Sequence, residues 1–179
     1  MIQIIKNRFF SSNTYLISSN KNQDAVIIDP GLDYERIDAA IQQHNLFPKY
    51  ILSTHGHFDH VSSVAFFQKK YGAIFLMHEK DIKELKRINF YMKVMGIDKK
   101  VKEPVVDLLI RKEFEKLGIN DFNVKSYNFP GHTDGSCLFV MNNIIFTGDT
   151  LYYKGIGDNP FPGQDKVKLK KSLLNILDR

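Results

Sequence analysis

The chain has one cysteine in 179 residues. It therefore cannot carry an internal disulfide framework, which suits a reducing compartment. No apolar run is long enough to span a bilayer, and no N-terminal stretch has the charged, apolar and small-residue layout of a secretory leader. A cytoplasmic protein with no membrane partner is expected. No segment is dominated by charge of one sign. The net charge of +5 comes from lysines scattered along the chain, with one modest cluster at Lys166, Lys168, Lys170 and Lys171. Scatter of this kind describes a solvated surface, and a basic balance alone is weak support for a nucleic-acid partner, so none is expected. Histidine is scarce too: the chain has six, and three of them fall between positions 55 and 60.

What is present is enough apolar material, 43% of residues, for one globular domain over 1–179 that needs no staples. Cys137, in Gly135-Ser136-Cys137-Leu138-Phe139-Val140, reads as a small buried hydrophobe rather than a nucleophile.

The histidines are concentrated in Thr54-His55-Gly56-His57-Phe58-Asp59-His60, directly after the apolar run Lys49-Tyr50-Ile51-Leu52-Ser53. If that run is a buried strand, its exit delivers three imidazoles and a carboxylate within six residues. His55 and His57 are two apart, so in extended backbone they point to one side and can grip one ion. Asp59 and His60 follow where the chain curls and can face a second ion, with Gly56 letting the backbone bend between them. Asp59 alone could be only a helix cap. The H-x-H-x-D-H spacing is what points to metal. It resembles the signature of the metallo-β-lactamase-fold hydrolases, and the chain around it is similar to their glyoxalase II-like branch.

Along the chain, Ile2 to Ile5, Asn13 to Ser18 and Ala25 to Ile28 read as strands of a meander that ends in Asp29-Pro30-Gly31. Asp33 then caps a helix carrying Ile37, Ala40 and Ile41 at helical spacing, with His44 near its end, where it complements the helix dipole. After His60 a second helix runs to a stop at Gly72, and Ala73 to Met77 is the next strand, followed by His78. This alternation predicts α/β layers. Residues 79–102 are charged and read as helical at least to Gly96, with Phe90, Tyr91, Met92 and Met95 as a satellite core or a substrate mouth. Val105 to Ile110, Glu113 to Leu117 and Phe122 to Phe129 read as a second set of strands, and a helix from Val105 to Leu117 is the competing assignment.

The resemblance implies the rest of the site. The fold would be the αββα sandwich of the family. Asp29 would be a buried acid beneath the metal loop; as a plain turn residue it would instead bond to nearby backbone. Pro130-Gly131-His132-Thr133 matches the family element whose histidine completes a three-nitrogen site, and Thr147-Gly148-Asp149-Thr150 matches the one whose aspartate bridges two ions. One ion is then held by His55, His57 and His132, a second is approached by Asp59 and His60, and Asp149 is shared. His78 and His44 have no place in that pattern. Zn²⁺ suits the donors, one or two per chain, with Fe or Mn as substitutes. Water activated between the ions attacks a carbonyl carbon, and Asp59 orients it as the catalytic carboxylate.

Two departures from the family pattern bear on function. The family's last ligand histidine, on a Gly-His turn after one more strand, has no counterpart among the six, and the sequence ends on Leu173 to Arg179, the helix that would precede that strand. The expected architecture thus lacks the final strand and ligand turn. A weak second site, a single-ion working form and a catalytically impaired remnant all remain open. Asp158 stands where glyoxalase II-like proteins carry a basic residue for glutathione, with Lys154 as the nearest substitute. A smaller departure, Ser62-Ser63 in place of glycine, carries no functional meaning. The expected substrate is a small thioester or ester, with a mononuclear iron persulfide dioxygenase as the alternative chemistry. A ribonuclease of the same fold is disfavoured because the short chain leaves little room for an RNA-gripping arm. Oligomeric state is not legible.

Overall fold

The structure is a computed structural model that describes residues 1–19, 22–119, 121–153, 155–156 and 164–177. Strands β1 (Ile2–Lys6), β2 (Asn13–Ser18) and β3 (Asp24–Ile28) form the expected antiparallel meander. From β3 onward the sheet turns parallel through β4 (Phe47–Leu52), β5 (Ile74–His78) and β6 (Leu108–Ile110), in the spatial order β1-β2-β3-β4-β5-β6. Parallel neighbours need crossovers. These are supplied by α1 (Tyr34–Gln43), then α2 (Phe58–Val61) with α3 (Val64–Tyr71), then α4 (Ile82–Leu85) with α5 (Ile88–Val94). A second, antiparallel sheet follows, β7 (Phe114–Ile119), β8 (Phe122–Asn128), β9 (Cys137–Met141) and β10 (Ile144–Phe146), and then α6 (Lys166–Leu177).

The centre of the first sheet is buried on both faces, and β3 shows why its run is apolar throughout. Ala25 and Ile27 join a core with Ile37, Ile41, Phe67 and Met92 of the helices, whereas Val26 and Ile28 join one with Val124, Phe139 and Met141 of the second sheet. The period of two sends alternate residues to opposite cores. Each of the larger side chains, fully buried, contributes about 1.5–3 kcal/mol.

Four local expectations are corrected. Asp33 stands at the N-cap of α1 but makes no capping bond; its carboxylate accepts from the Arg8 backbone N (2.6 Å) and Nε (2.9 Å) instead. The helix placed after His60 begins at Phe58 and breaks at Ser62–Ser63, where the Ser63 amide donates to the Pro30 carbonyl at 3.1 Å and its hydroxyl to the Gly31 carbonyl. It does stop at Gly72, left-handed at φ 66°. Residues 79–102 hold a 3₁₀ turn at Glu79–Asp81 and two short helices rather than one long one. Finally, the strand placed over Val105 to Ile110 shortens to Leu108–Ile110 and pairs with β5 in the first sheet, and no helix forms there. The Gln68 side chain claims both backbone groups of Val105, donating to its carbonyl at 2.6 Å and accepting from its amide at 3.1 Å, which keeps that residue out of the ladder. Among the described residues no helix is long and apolar enough to cross a membrane.

Candidate metal centre

One rim collects the exits of strands from both sheets. Asp29 follows β3, the His55–His60 loop follows β4, Asp81 follows β5, His132 lies between β8 and β9, and Asp149 follows β10. Ends of parallel strands point the same way, so residues distant in sequence arrive at one edge.

The first cluster is His55, His57 and His132, all buried. His132 Nε2 lies 3.2 Å from His55 Nε2 and 2.9 Å from His57 Nδ1. Hydrogen bonding fixes what His55 offers. Thr54 Oγ1 gives its proton to Asp29 Oδ2 (2.7 Å), so at His55 Nδ1 (3.1 Å) the hydroxyl must accept. The His55 proton is therefore on Nδ1, and Nε2 turns a lone pair toward the other two rings. Tetrahedral Zn–N bonds of about 2.0–2.1 Å would put neighbouring nitrogens roughly 3.3 Å apart. The observed separations fit a divalent cation.

The second cluster is His55, His60 and Asp149. His60 Nε2 is 3.3 Å from Asp149 Oδ1 and 3.5 Å from Asp59 Oδ2, and its Nδ1 is 3.1 Å from Asp29 Oδ2. Both ring nitrogens are buried without a well-formed hydrogen bond. Asp29 is thus a buried acid rather than a simple turn residue: at φ 54° it accepts the Thr54 amide (2.7 Å) and hydroxyl and faces His60. Asparagine and aspartate tolerate that backbone better than most residues.

Asp81 was not among the expected site residues. Fully buried, its carboxylate accepts the Gly56 amide (2.9 Å), the Thr133 hydroxyl (2.7 Å) and the Gly135 amide (2.8 Å). It therefore ties the loop of His55 and His57 to the turn of His132. Gly56 also has a different reason to be glycine from the one expected. A Cβ there would lie 2.9 Å from the Asp81 carbonyl and 2.8 Å from Glu84 Cβ, so it permits close approach.

Burial drives the electrostatics of the three rings. It holds His55 well below its ordinary value, His57 down at about 3 and His132 at about 4, and neighbouring imidazoles depress all three further, while Asp149 opposes at His57 and His132. Burial opposes charge on His60 as well, but Asp59, Asp149 and Asp29 outweigh it and raise its pKa. Burial raises Asp59. Asp149 is lowered, since His60, His132 and a hydrogen bond from the Tyr152 hydroxyl overcome its burial.

Acid should destabilise the metal-stripped protein. Unfolded imidazoles titrate near 6.5, so as pH falls the unfolded chain binds protons that folded His57 and His132 refuse until about 3 and about 4. Their stabilisation is full above about 6.5 and is lost on acidification. His60 acts oppositely: its contribution is full below 6.5 and is lost as pH rises through its raised value. Four rings, His78 included, are depressed against one, while Asp59 and Asp81, raised by burial, act the other way, and melting temperature is expected to drop between about pH 6.5 and 4. A flat circular-dichroism melting temperature across that window would contradict neutral burial of the trio.

The other histidines lie elsewhere. His78 Nδ1 accepts the Lys80 amide at 3.3 Å, and His44 is exposed at the C-cap of α1. Cys137 is buried, its thiol pushed up to about 12 chiefly by burial. Of the candidate mouth residues Tyr91 and Met92 are core and Phe90 is exposed. Asp158 and Lys154 lie outside the described residues.

Residues 7–179 match the family model described as the metallo-beta-lactamase superfamily. A hydroxyacylglutathione hydrolase, GloC, of Haemophilus influenzae is 33% identical over 175 residues, covering 96% of this chain and 82% of that protein. A probable metallo-hydrolase of Methanocaldococcus jannaschii is 28% identical over 95% of this chain and 81% of its own length. Among solved structures, the B3 metallo-beta-lactamase BLEG-1 superposes with a TM-score of 0.86 at 28% identity, over 98% of this chain and 84% of that one. TTHA1623, solved in a di-iron-bound form, gives 0.83 at 28% identity, over 98% and 86%.

Proposed function

Because the chain belongs to the metallo-beta-lactamase superfamily, we propose that it is a metal-dependent hydrolase of the glyoxalase II-like kind, cleaving a small thioester or related ester. The observation that carries this is the convergence of His55, His57 and His132 beside the second set of His55, His60 and Asp149. The similarity to GloC supports the thioester class. His55, His57 and His132 would hold one ion; Asp59 and His60 would serve a second, with Asp149 between them. Zn²⁺ suits nitrogen and carboxylate donors, and Fe or Mn are compatible. A bound divalent ion supplies Lewis acidity and lowers the pKa of water toward about 7.

The protein's own groups do the remaining work. Asp59, buried beside His60, orients the attacking water and takes its proton. Tyr152 fixes Asp149 through its hydroxyl. A cavity of about 250 Å³, lined by Tyr15, Tyr152, Tyr153 and Ser12 and open to His60 and Asp149, admits a small acyl group.

The chain is assayed after loading with Zn²⁺ or Fe²⁺. Thiol release from acyl thioesters without oxygen uptake is the expected result. A second reading, a mononuclear iron persulfide dioxygenase, is favoured by the three-imidazole set being complete in itself. Oxygen uptake on a persulfide by the iron form would select it. Metal binding with neither turnover would leave a catalytically impaired remnant.

Free glutathione is expected to compete weakly, with an inhibition constant above about 1 mM. No lysine or arginine is among the described residues lining the cavity, and Asp158 stands at the family's basic position. Micromolar competitive inhibition would overturn that inference.

A further inference from the structure

A second concavity, of about 330 Å³, shares no lining residue with the one beside His60. We propose that this groove, between α6 and the end of β8, binds a small polyanion, a phosphate- or carboxylate-bearing molecule. Its walls bring Lys80, Arg111, Lys168 and Lys171 together from three separate elements, with Glu113 as the one acid among the lining residues.

Two of the cations are already engaged: Arg111 Nε is 3.2 Å from Glu79, and Lys168 Nζ is 3.1 Å from Asp134 and 3.8 Å from Asp165. Lys80 and Lys171 have no carboxylate partner among the described residues. Gathering like charges in a concave wall costs folding energy through self-repulsion, and an anion seated there relieves it. Arg111 adds a planar fork suited to two oxygens of one ligand group. The cavity is at the small end of ligand sites, which favours a metabolite-sized occupant.

The groove is firmly built on one side. Ser172 Oγ donates to the Pro130 carbonyl at 2.7 Å, and the Asp165 amide donates to the Gly131 carbonyl at 2.7 Å. Gly131, at φ 146°, lies so close under α6 that a Cβ would sit 2.3 Å from Leu169 Cα. The helix carrying Lys168 and Lys171 therefore rests on the turn that presents His132, and an occupant of the groove touches that turn at Pro130.

The test titrates inorganic phosphate and, separately, succinate into the full chain at fixed ionic strength, followed by amide chemical shifts. Saturable shifts at residues 127–130 and 168–172 are expected with at least one anion. The double variant Lys80→Gln, Lys171→Gln should weaken them about tenfold or more. Both side chains are exposed, so the variant should melt like the parent. The phosphate and succinate arms distinguish the two ligand classes. Non-saturating shifts, shifts confined to residues 55–60 and 149, or affinity unchanged in the double variant would overturn the proposal.

Discussion

Replacing His132 with alanine is expected to lower metal affinity by more than about a hundredfold, so that dialysed protein retains almost none by elemental analysis. The ring supplies the nitrogen nearest both partners, 3.2 Å from His55 Nε2 and 2.9 Å from His57 Nδ1, and it comes from a different sheet. The two remaining imidazoles form an incomplete grip. His55→Ala and Asp149→Ala should act likewise, each removing a member of the second cluster. His44→Ala and His78→Ala should keep parental metal content, because one ring is exposed at a helix end and the other is occupied with the Lys80 amide. Stripped of metal, the His132→Ala protein should still melt cooperatively, somewhat below stripped parent because a buried ring is lost, so that the missing metal reads as lost binding rather than unfolding; the ring's polar contacts are to the other histidines and Asp149. Equal metal in all the variants would contradict the ligand set.

Asp81→Ala should damage both stability and metal binding although Asp81 belongs to neither cluster. It strands two donors, the amides of Gly56 and Gly135, in a buried site, and takes one partner from the Thr133 hydroxyl, which keeps Ser136 Oγ at 2.8 Å. A buried donor left unsatisfied costs about 1–3 kcal/mol, so a loss of about 3 kcal/mol or more is expected in urea unfolding of the stripped protein. Metal affinity, read by chelator competition, should fall about 10- to 100-fold as the two histidine loops lose their common anchor. Asp81→Asn separates the contributions: it keeps the volume but presents an NH₂ toward donors, so it should recover packing and remain weak for metal. A variant matching the parent in both measurements would remove Asp81 from this role.

The candidate ligands of the first loop were legible because their spacing is local. His55, His57, Asp59 and His60 leave one strand end together, whereas the Pro-Gly-His and Gly-Asp turns are weak signals alone and gained meaning only beside that cluster, through the family resemblance. Asp81 was not legible, since its partners lie 25, 52 and 54 positions away and its own neighbourhood, His78-Glu79-Lys80-Asp81, reads as a charged surface. The break at Ser62–Ser63 was hidden for the same reason: the groups that end the helix belong to the turn at Pro30–Gly31. β6 had the apolar content of a strand, but its sheet is decided by pairing with β5, a choice that periodicity does not encode. The α/β layering and the meander needed only local pattern and were readable in advance.

The donors hang from two plates. His55 and His57 belong to the exit of β4, while His132 and Asp149 belong to turns of the other sheet. In the interior those plates are joined by greasy, non-directional packing; at the rim a cation would act as a rivet driven through both. Withdrawing metal should then work like a mild denaturant, loosening the sandwich at its edge first and lowering the temperature at which its halves part as free ion is depleted.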